Sequence, residues 1–105
     1  MNKYGAKKTT VDGITFDSKL EARIWCDLVL LQRAGIIRDL ERQVKYELIP
    51  KTDKFRAVAY IADFRYYDCE NERTVVMDAK GVKTKEYMIK KKLMYWRYGI
   101  SIREV

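Results

Sequence analysis

The stretch "FRAVAYIADFRYYDCENERTVVMDAKG", Phe55 to Gly81, constrains this chain more than any other. Two β-prone runs, Phe55 to about Tyr67 and Thr74 to Lys80, are separated only by the polar turn "DCENER". Consecutive strands joined so closely pair antiparallel. A turn centred on Glu70-Asn71 makes paired residue numbers sum to about 141, which sets Asp63 opposite Asp78 with Cβ atoms about 4.5–5.5 Å apart. Like charges at that spacing repel. Alternate residues of a strand point to one face, so Asp78 and Lys80 lie side by side. Two carboxylates thus converge, with only Lys80 in the strands to neutralise them.

Taken alone, Asp78 and Lys80 fit a partly solvated ion pair at a sheet end. The opposed carboxylates ask for more. A hard divalent cation offsets such repulsion, because magnesium takes oxygen ligands and uses one or two carboxylates with substrate phosphate. A lysine beside it can orient a water and stabilise an anionic transition state.

The remaining elements follow from local signals. Asp12-Gly13 in "TTVDGITF" separates two short β-prone runs, a tight-hairpin signature. "FDSKLEARIWCDLVLLQRAG" reads as a helix capped by Asp17 or Ser18 and ended by Gly35. Val44, Tyr46 and Leu48 alternate with Lys45 and Glu47 in a strand that stops at Pro50. "TKEYMIKKKLMYWRYG" reads as a second helix ended by Gly99, with Ile89, Leu93 and Trp96 expected as its core stripe. "ISIREV" supplies a short last strand. The order is hairpin, α, β, β, β, α, β, an α/β arrangement.

Glu21 has two readings. It shares a helical face with Ile24, Trp25, Leu28 and Leu31, and a carboxylate in an apolar stripe should be neutral, paired or metal-bound. Ser18 to Glu21 also fits a capping box, in which the glutamate serves only the helix end.

The 105 residues allow one domain, 1–105, with one modest core, and 48% apolar residues favour folding over disorder. No apolar run approaches the roughly 20 residues of a membrane span. "MNKYGAKKTT" lacks an apolar h-region, so no signal peptide is expected. Cys26 and Cys69 have no metal-ligand spacing, and free thiols inside a cell are the default. A net charge of +7 suggests a polyanionic partner, most simply nucleic acid. The chain has no histidine, which removes Ser-His-Asp and Cys-His catalysis and histidine-ligated zinc. Candidate phosphate-binding residues are Lys7 and Lys8 in the basic arm of residues 1–16, then Lys83, Lys85, Lys90, Lys91 and Arg97, with Tyr87 and Tyr98 interleaved.

Glu21 on a first helix, Asp63 on one strand and Asp78-Ala79-Lys80 on the next resemble the PD-(D/E)XK nuclease superfamily. With "YGAKKTTVDGITFDSKLEA", "YIADF" and "DAKG", the chain is similar over nearly its full length to small phage- and prophage-encoded members of that superfamily. Ala62 stands where the nominal proline would be. The resemblance implies a restriction-endonuclease-like αβββαβ core, with a mixed central sheet flanked by two helices and preceded by a short hairpin. It implies a DNA endonuclease dependent on Mg²⁺ or Mn²⁺ and acting in the cytoplasm of a bacterial host, with branched or structured DNA such as a four-way junction among its expected substrates. Asp63, Asp78 and the Ala79 carbonyl would hold the metal, Glu21 would be a further ligand or hold a water, and Lys80 would position the attacking water. A domain this small needs a homodimer to cut both strands in register. Two other readings stand beside it: a non-catalytic nucleic-acid-binding module with structural carboxylates, and a protein-interaction domain.

Overall fold

The computed structural model describes residues 8–79 and 83–105. Its elements run β1 (Thr9–Val11), β2 (Ile14–Phe16), α1 (Lys19–Arg33), β3 (Ile37–Ile49), β4 (Val58–Asp68), β5 (Arg73–Asp78), α2 (Lys85–Tyr98) and β6 (Arg103–Glu104). Four strands form one sheet in the order β3-β4-β5-β6, and β1-β2 form a separate hairpin. The β3–β4 and β4–β5 pairs are antiparallel, while β5–β6 is parallel. The expected mixed sheet, two helices and leading hairpin are all present. Among the described residues no helix is long and apolar enough to cross a membrane.

Local chemistry sets most boundaries. Asp12 and Gly13 take φ of 49° and 78°, the paired positive values that match a two-residue hairpin turn to the strand twist. Ser18 Oγ accepts from Glu21 N at 3.1 Å and starts α1. Thr84 Oγ1 accepts from Tyr87 N at 3.1 Å and starts α2, and Gly99 ends that helix at a φ of 68°. Two strand starts differ from expectation. β3 begins at Ile37, well before the alternating run at Val44, because a register shift between Arg38 and Glu41, with positive φ at Asp39, interrupts the pattern near its start and the charged Arg42 occupies a half-buried position further on. β4 begins at Val58 instead of Phe55, because Thr52 Oγ1 accepts from the amides of Lys54 and Phe55 and folds that segment into a loop.

The core is divided in two. Phe16, Ala22, Leu28, Phe64 and Met77 pack with α1 and the hairpin. Leu48, Tyr60, Ala62, Tyr87, Met94 and Ile102 pack with α2. β5 serves both, giving Val75 and Met77 to the first core and Val76 to the second, as a strand buried on both faces must.

The expected stripe of α2 is corrected. Tyr87 and Met94 face inward and Leu93 is half-buried, while Ile89 and Trp96 point to solvent. Polar anchors set this rotation: the Tyr87 hydroxyl donates to Glu104 Oε2 at 2.7 Å, and Lys91 Nζ lies 3.1 Å from Glu104 Oε1. Turning Ile89 and Trp96 inward would break both.

Candidate active site

The β4–β5 hairpin places the central pair. Phe64 faces Met77, and the register continues through Tyr66–Val75 to Asp68–Arg73, closing on a turn over residues 69–72. Asp68 tightens that turn by accepting from the Glu70 and Asn71 amides at 3.0 and 3.2 Å. One step beyond Phe64–Met77, the same register sets Asp63 opposite Asp78. Asp78 is fully buried, at 0% exposure. Its Oδ2 accepts from the Tyr60 hydroxyl at 2.5 Å. Asp63 Oδ2 accepts from the Ala79 amide at 2.8 Å.

Burial holds the Asp63 carboxyl well above the usual aspartate range, and a hydrogen bond to Asp78 and the Asp78 charge push it further the same way. The Ala79 amide opposes this shift. Asp63 therefore retains a proton, directed at Asp78, where an isolated aspartate would have lost its own. The Tyr60 hydroxyl is likewise raised, first by burial and then by its bond to Asp78.

Glu21 stands at the margin of the pair. It is 5% exposed, and its carboxyl is raised first by burial and next by Asp17, with Arg42 pulling the other way. Gln43 Nε2 donates to Glu21 Oε1 at 3.5 Å. On β3, Gln43 falls between Arg42, which faces Phe64, and Val44, which faces Ala62, so it lies in register with Asp63. Gln43, Asp63 and Asp78 therefore form a row across three strands, and Gln43 links that row to α1. The Arg42 guanidinium sits 4.6 Å from the Phe16 ring centroid and 6.0 Å from that of Trp25, anchoring the start of α1 to β3.

The structure thus brings Asp63, Asp78 and Ala79 together, with Glu21 close enough to feel both carboxylates. Lys80 and Lys7 lie outside the described residues. Among the described residues no three acidic or cysteine side chains gather closely enough to hold a metal by themselves. Two members of the constellation were missed in the sequence. Tyr60 reads only as an inward strand residue, and Gln43 carries no local signal because the β3–β4 register alone puts it beside Asp63.

The basic residues divide. Lys8 and Lys85 are exposed. Lys83 and Lys91 share Glu104, at 3.2 and 3.1 Å, and Lys90 pairs with Glu86 at 3.1 Å. Glu104 is lowered to about 2, first by the Tyr87 hydroxyl and then by these two lysines. Tyr87 is buried, the Tyr98 hydroxyl donates to the Glu47 carbonyl at 2.5 Å, and the Arg97 guanidinium lies 5.5 Å from the Tyr98 ring centroid. The two tyrosines read as interleaved with a phosphate-binding surface therefore serve the fold.

No curated protein and no solved structure matches the chain. A family model described as "Protein of unknown function (DUF1064)" matches residues 1–103, and the chain belongs to that family.

Proposed function

We propose that this chain is a metal-dependent DNA endonuclease that hydrolyses phosphodiester bonds, using Mg²⁺ or Mn²⁺ at the Asp63–Asp78 pair. The observation that supports it is that pair: two carboxylates forced together at the buried end of two strands, one of them holding a proton it would ordinarily lose. The donors suit a hard cation. Magnesium commonly takes one or two protein carboxylates and completes its sphere with water and substrate phosphate, so a third clustered acid is not required. Asp63, Asp78 and the Ala79 carbonyl would hold it, with Glu21 as a further ligand. When bound, the cation supplies Lewis-acid stabilisation of phosphate charge and lowers the pKa of water.

The chain's own groups have separate tasks. Tyr60 fixes the orientation of Asp78, and the Ala79 amide fixes that of Asp63. To serve as a ligand Asp63 would have to be deprotonated, releasing its proton to solvent. The resemblance gives Lys80 the role of positioning the attacking water and offsetting charge on the phosphate. Exposed lysines such as Lys85 hold flanking phosphates. Action on branched DNA, as a homodimer, inside a bacterial cell is the finer form of this proposal.

One observation favours a second reading, a binding module with structural carboxylates: Tyr60, the Ala79 amide and a shared proton already satisfy much of the pair without any cation. Incubation with supercoiled plasmid and with a four-way junction, with and without Mg²⁺, separates the two. Cutting that needs the cation supports the nuclease, and undiminished cutting in EDTA overturns it.

A further inference from the structure

We propose that the outward face of α2 is a platform for unpaired bases of single-stranded DNA, with Trp96 and Tyr95 stacking on bases and Lys85 and Lys92 holding phosphates. At about 100° per residue, Lys85, Ile89, Lys92 and Trp96 lie opposite Tyr87 and Met94, with Met88 and Tyr95 along one edge of the same exposed arc. Trp96 is 78% exposed, Tyr95 64% and Ile89 59%. So much apolar and aromatic surface on one exposed helix face marks an interaction site. Among the described residues, no other aromatic ring packs against Tyr95 or Trp96.

Charge decides what covers the face. Among the described residues its unpaired cations are Lys85 and Lys92: Lys91, at the margin, is held by Glu104 at 3.1 Å, and Glu86, the one acid of α2, turns aside to Lys90 at 3.1 Å. A second copy of the chain would set these lysines against their own counterparts in an apolar interface, which like-charge repulsion opposes. A partner that is both anionic and faced with flat apolar rings suits every group present. Single-stranded nucleic acid has that chemistry, and aromatic side chains interleaved with cations are how it is held. A duplex buries its base faces and offers only the phosphates.

The surface also has a place for a base. A groove of about 390 Å³ lies between α2 and the segment before β6, lined by Met88, Lys91, Lys92, Tyr95, Ser101 and Ile102. Tyr95 and Lys92 both line it, and Trp96, about 100° further round the helix, would meet a neighbouring base outside the groove. Lys85 and Lys92 are two turns apart, about 10 Å along the axis, so each can hold a separate, non-adjacent phosphate of one strand. The inference rests on the nuclease reading only for its purpose, which is to bring an unpaired strand towards Asp63 and Asp78. Binding itself requires no cation.

The test is fluorescence polarisation of the full chain in EDTA, with a labelled 15-nucleotide oligothymidylate and a duplex of equal length. The wild type should bind the single strand, and Trp96→Ala and Tyr95→Ala should each weaken that binding about tenfold, the loss of one stacked base. Duplex affinity should stay within about twofold, since stacking needs unpaired bases. Lys92→Gln should lower the single-strand salt slope by about 0.7, while the aromatic variants leave it unchanged. All of these side chains are exposed, so unfolding curves should overlay the wild type. Wild-type single-strand affinity in the Trp96→Ala, Tyr95→Ala double variant overturns the platform. So does a wild-type dimer that Trp96→Ala dissociates in sedimentation, which would give the face to a second copy. Mg²⁺-dependent plasmid cutting is read separately: cutting without single-strand binding overturns the platform alone, and binding without cutting overturns the nuclease alone.

Discussion

The Tyr60 hydroxyl donates to Asp78 Oδ2 at 2.5 Å, tying a residue near the start of β4 to the last residue of β5. Both side chains are buried, so the bond fixes one orientation of the carboxylate. Tyr60→Phe removes the donor and little else. It should cost about 1–3 kcal/mol of stability, the penalty for a buried acceptor that loses its partner. It should also weaken Mn²⁺ binding at least about tenfold, as loss of an orienting partner does at metal sites. Urea unfolding and calorimetry read the two effects, and wild-type Mn²⁺ affinity in the phenylalanine variant would remove Tyr60 from the site.

The raised Asp63 carboxyl gives a pH dependence with a definite sign. The folded chain keeps a proton that the unfolded chain, with aspartate near pKa 3.9, has already released. Without metal, this contribution to stability is complete below about pH 4 and is lost as pH rises through the raised pKa, by at most about 1.4 kcal/mol per pH unit. Glu104, lowered to about 2, acts only below the ordinary glutamate range and leaves this window clear. Asp63→Asn keeps an acceptor for the Ala79 amide and presents a permanent donor to Asp78. The variant should flatten the decline between pH 5 and pH 8 and be the more stable protein at pH 8 in EDTA. Saturating Mn²⁺ should stabilise the wild type most at high pH. Equal pH profiles for the two proteins in EDTA would contradict the shared proton.

Glu21→Gln separates the helix cap from the site. Ser18 Oγ accepts the Glu21 amide, a contact that the substitution leaves alone. The buried carboxyl is raised, so a neutral glutamine should equal or exceed wild-type stability at pH 8 in EDTA. If Glu21 supports the cation, Mn²⁺ affinity and cleavage should both fall. Wild-type cleavage across a Mg²⁺ titration would return Glu21 to the cap.

The lysines around Glu104 should respond unequally. Lys85→Gln should reduce the duplex salt slope by about 0.9, the share of one phosphate contact. Lys83→Gln and Lys91→Gln should change it less, because each lysine already faces Glu104. Glu104→Gln should release both and tighten DNA binding at low salt. Equal slopes in all four variants would move the phosphate contacts to another surface.

The sequence was most legible where contacts are local. One short turn defined the β4–β5 register and hence the meeting of Asp63 with Asp78, and Ser18, Gly13 and Gly99 marked their turns and caps by known backbone preferences. Distant contacts governed the rest. α2 carries apolar residues on both sides, and Glu104, far along the chain from Tyr87, selects the side that faces inward. Gln43 reaches the carboxylates through the β3–β4 register, which the loop at residues 50–57 does not specify in advance. Tyr60 was readable as an inward residue, but the partner of its hydroxyl exists only once β4 and β5 are paired.

The parallel alignment of β6 with β5 makes the acidic centre depend on a distant part of the chain. Met77 lies beside Arg103 and Asp78 beside Glu104, a pairing reached only by crossing through α2. β3, β4 and β5 are joined through their own connections, whereas the flank of Asp78 is covered by a strand that lies beyond α2 in the chain. Burial of the acidic centre thus depends on the least local pairing in the sheet, so any loosening of α2 or β6 would open it to water before the antiparallel strands part.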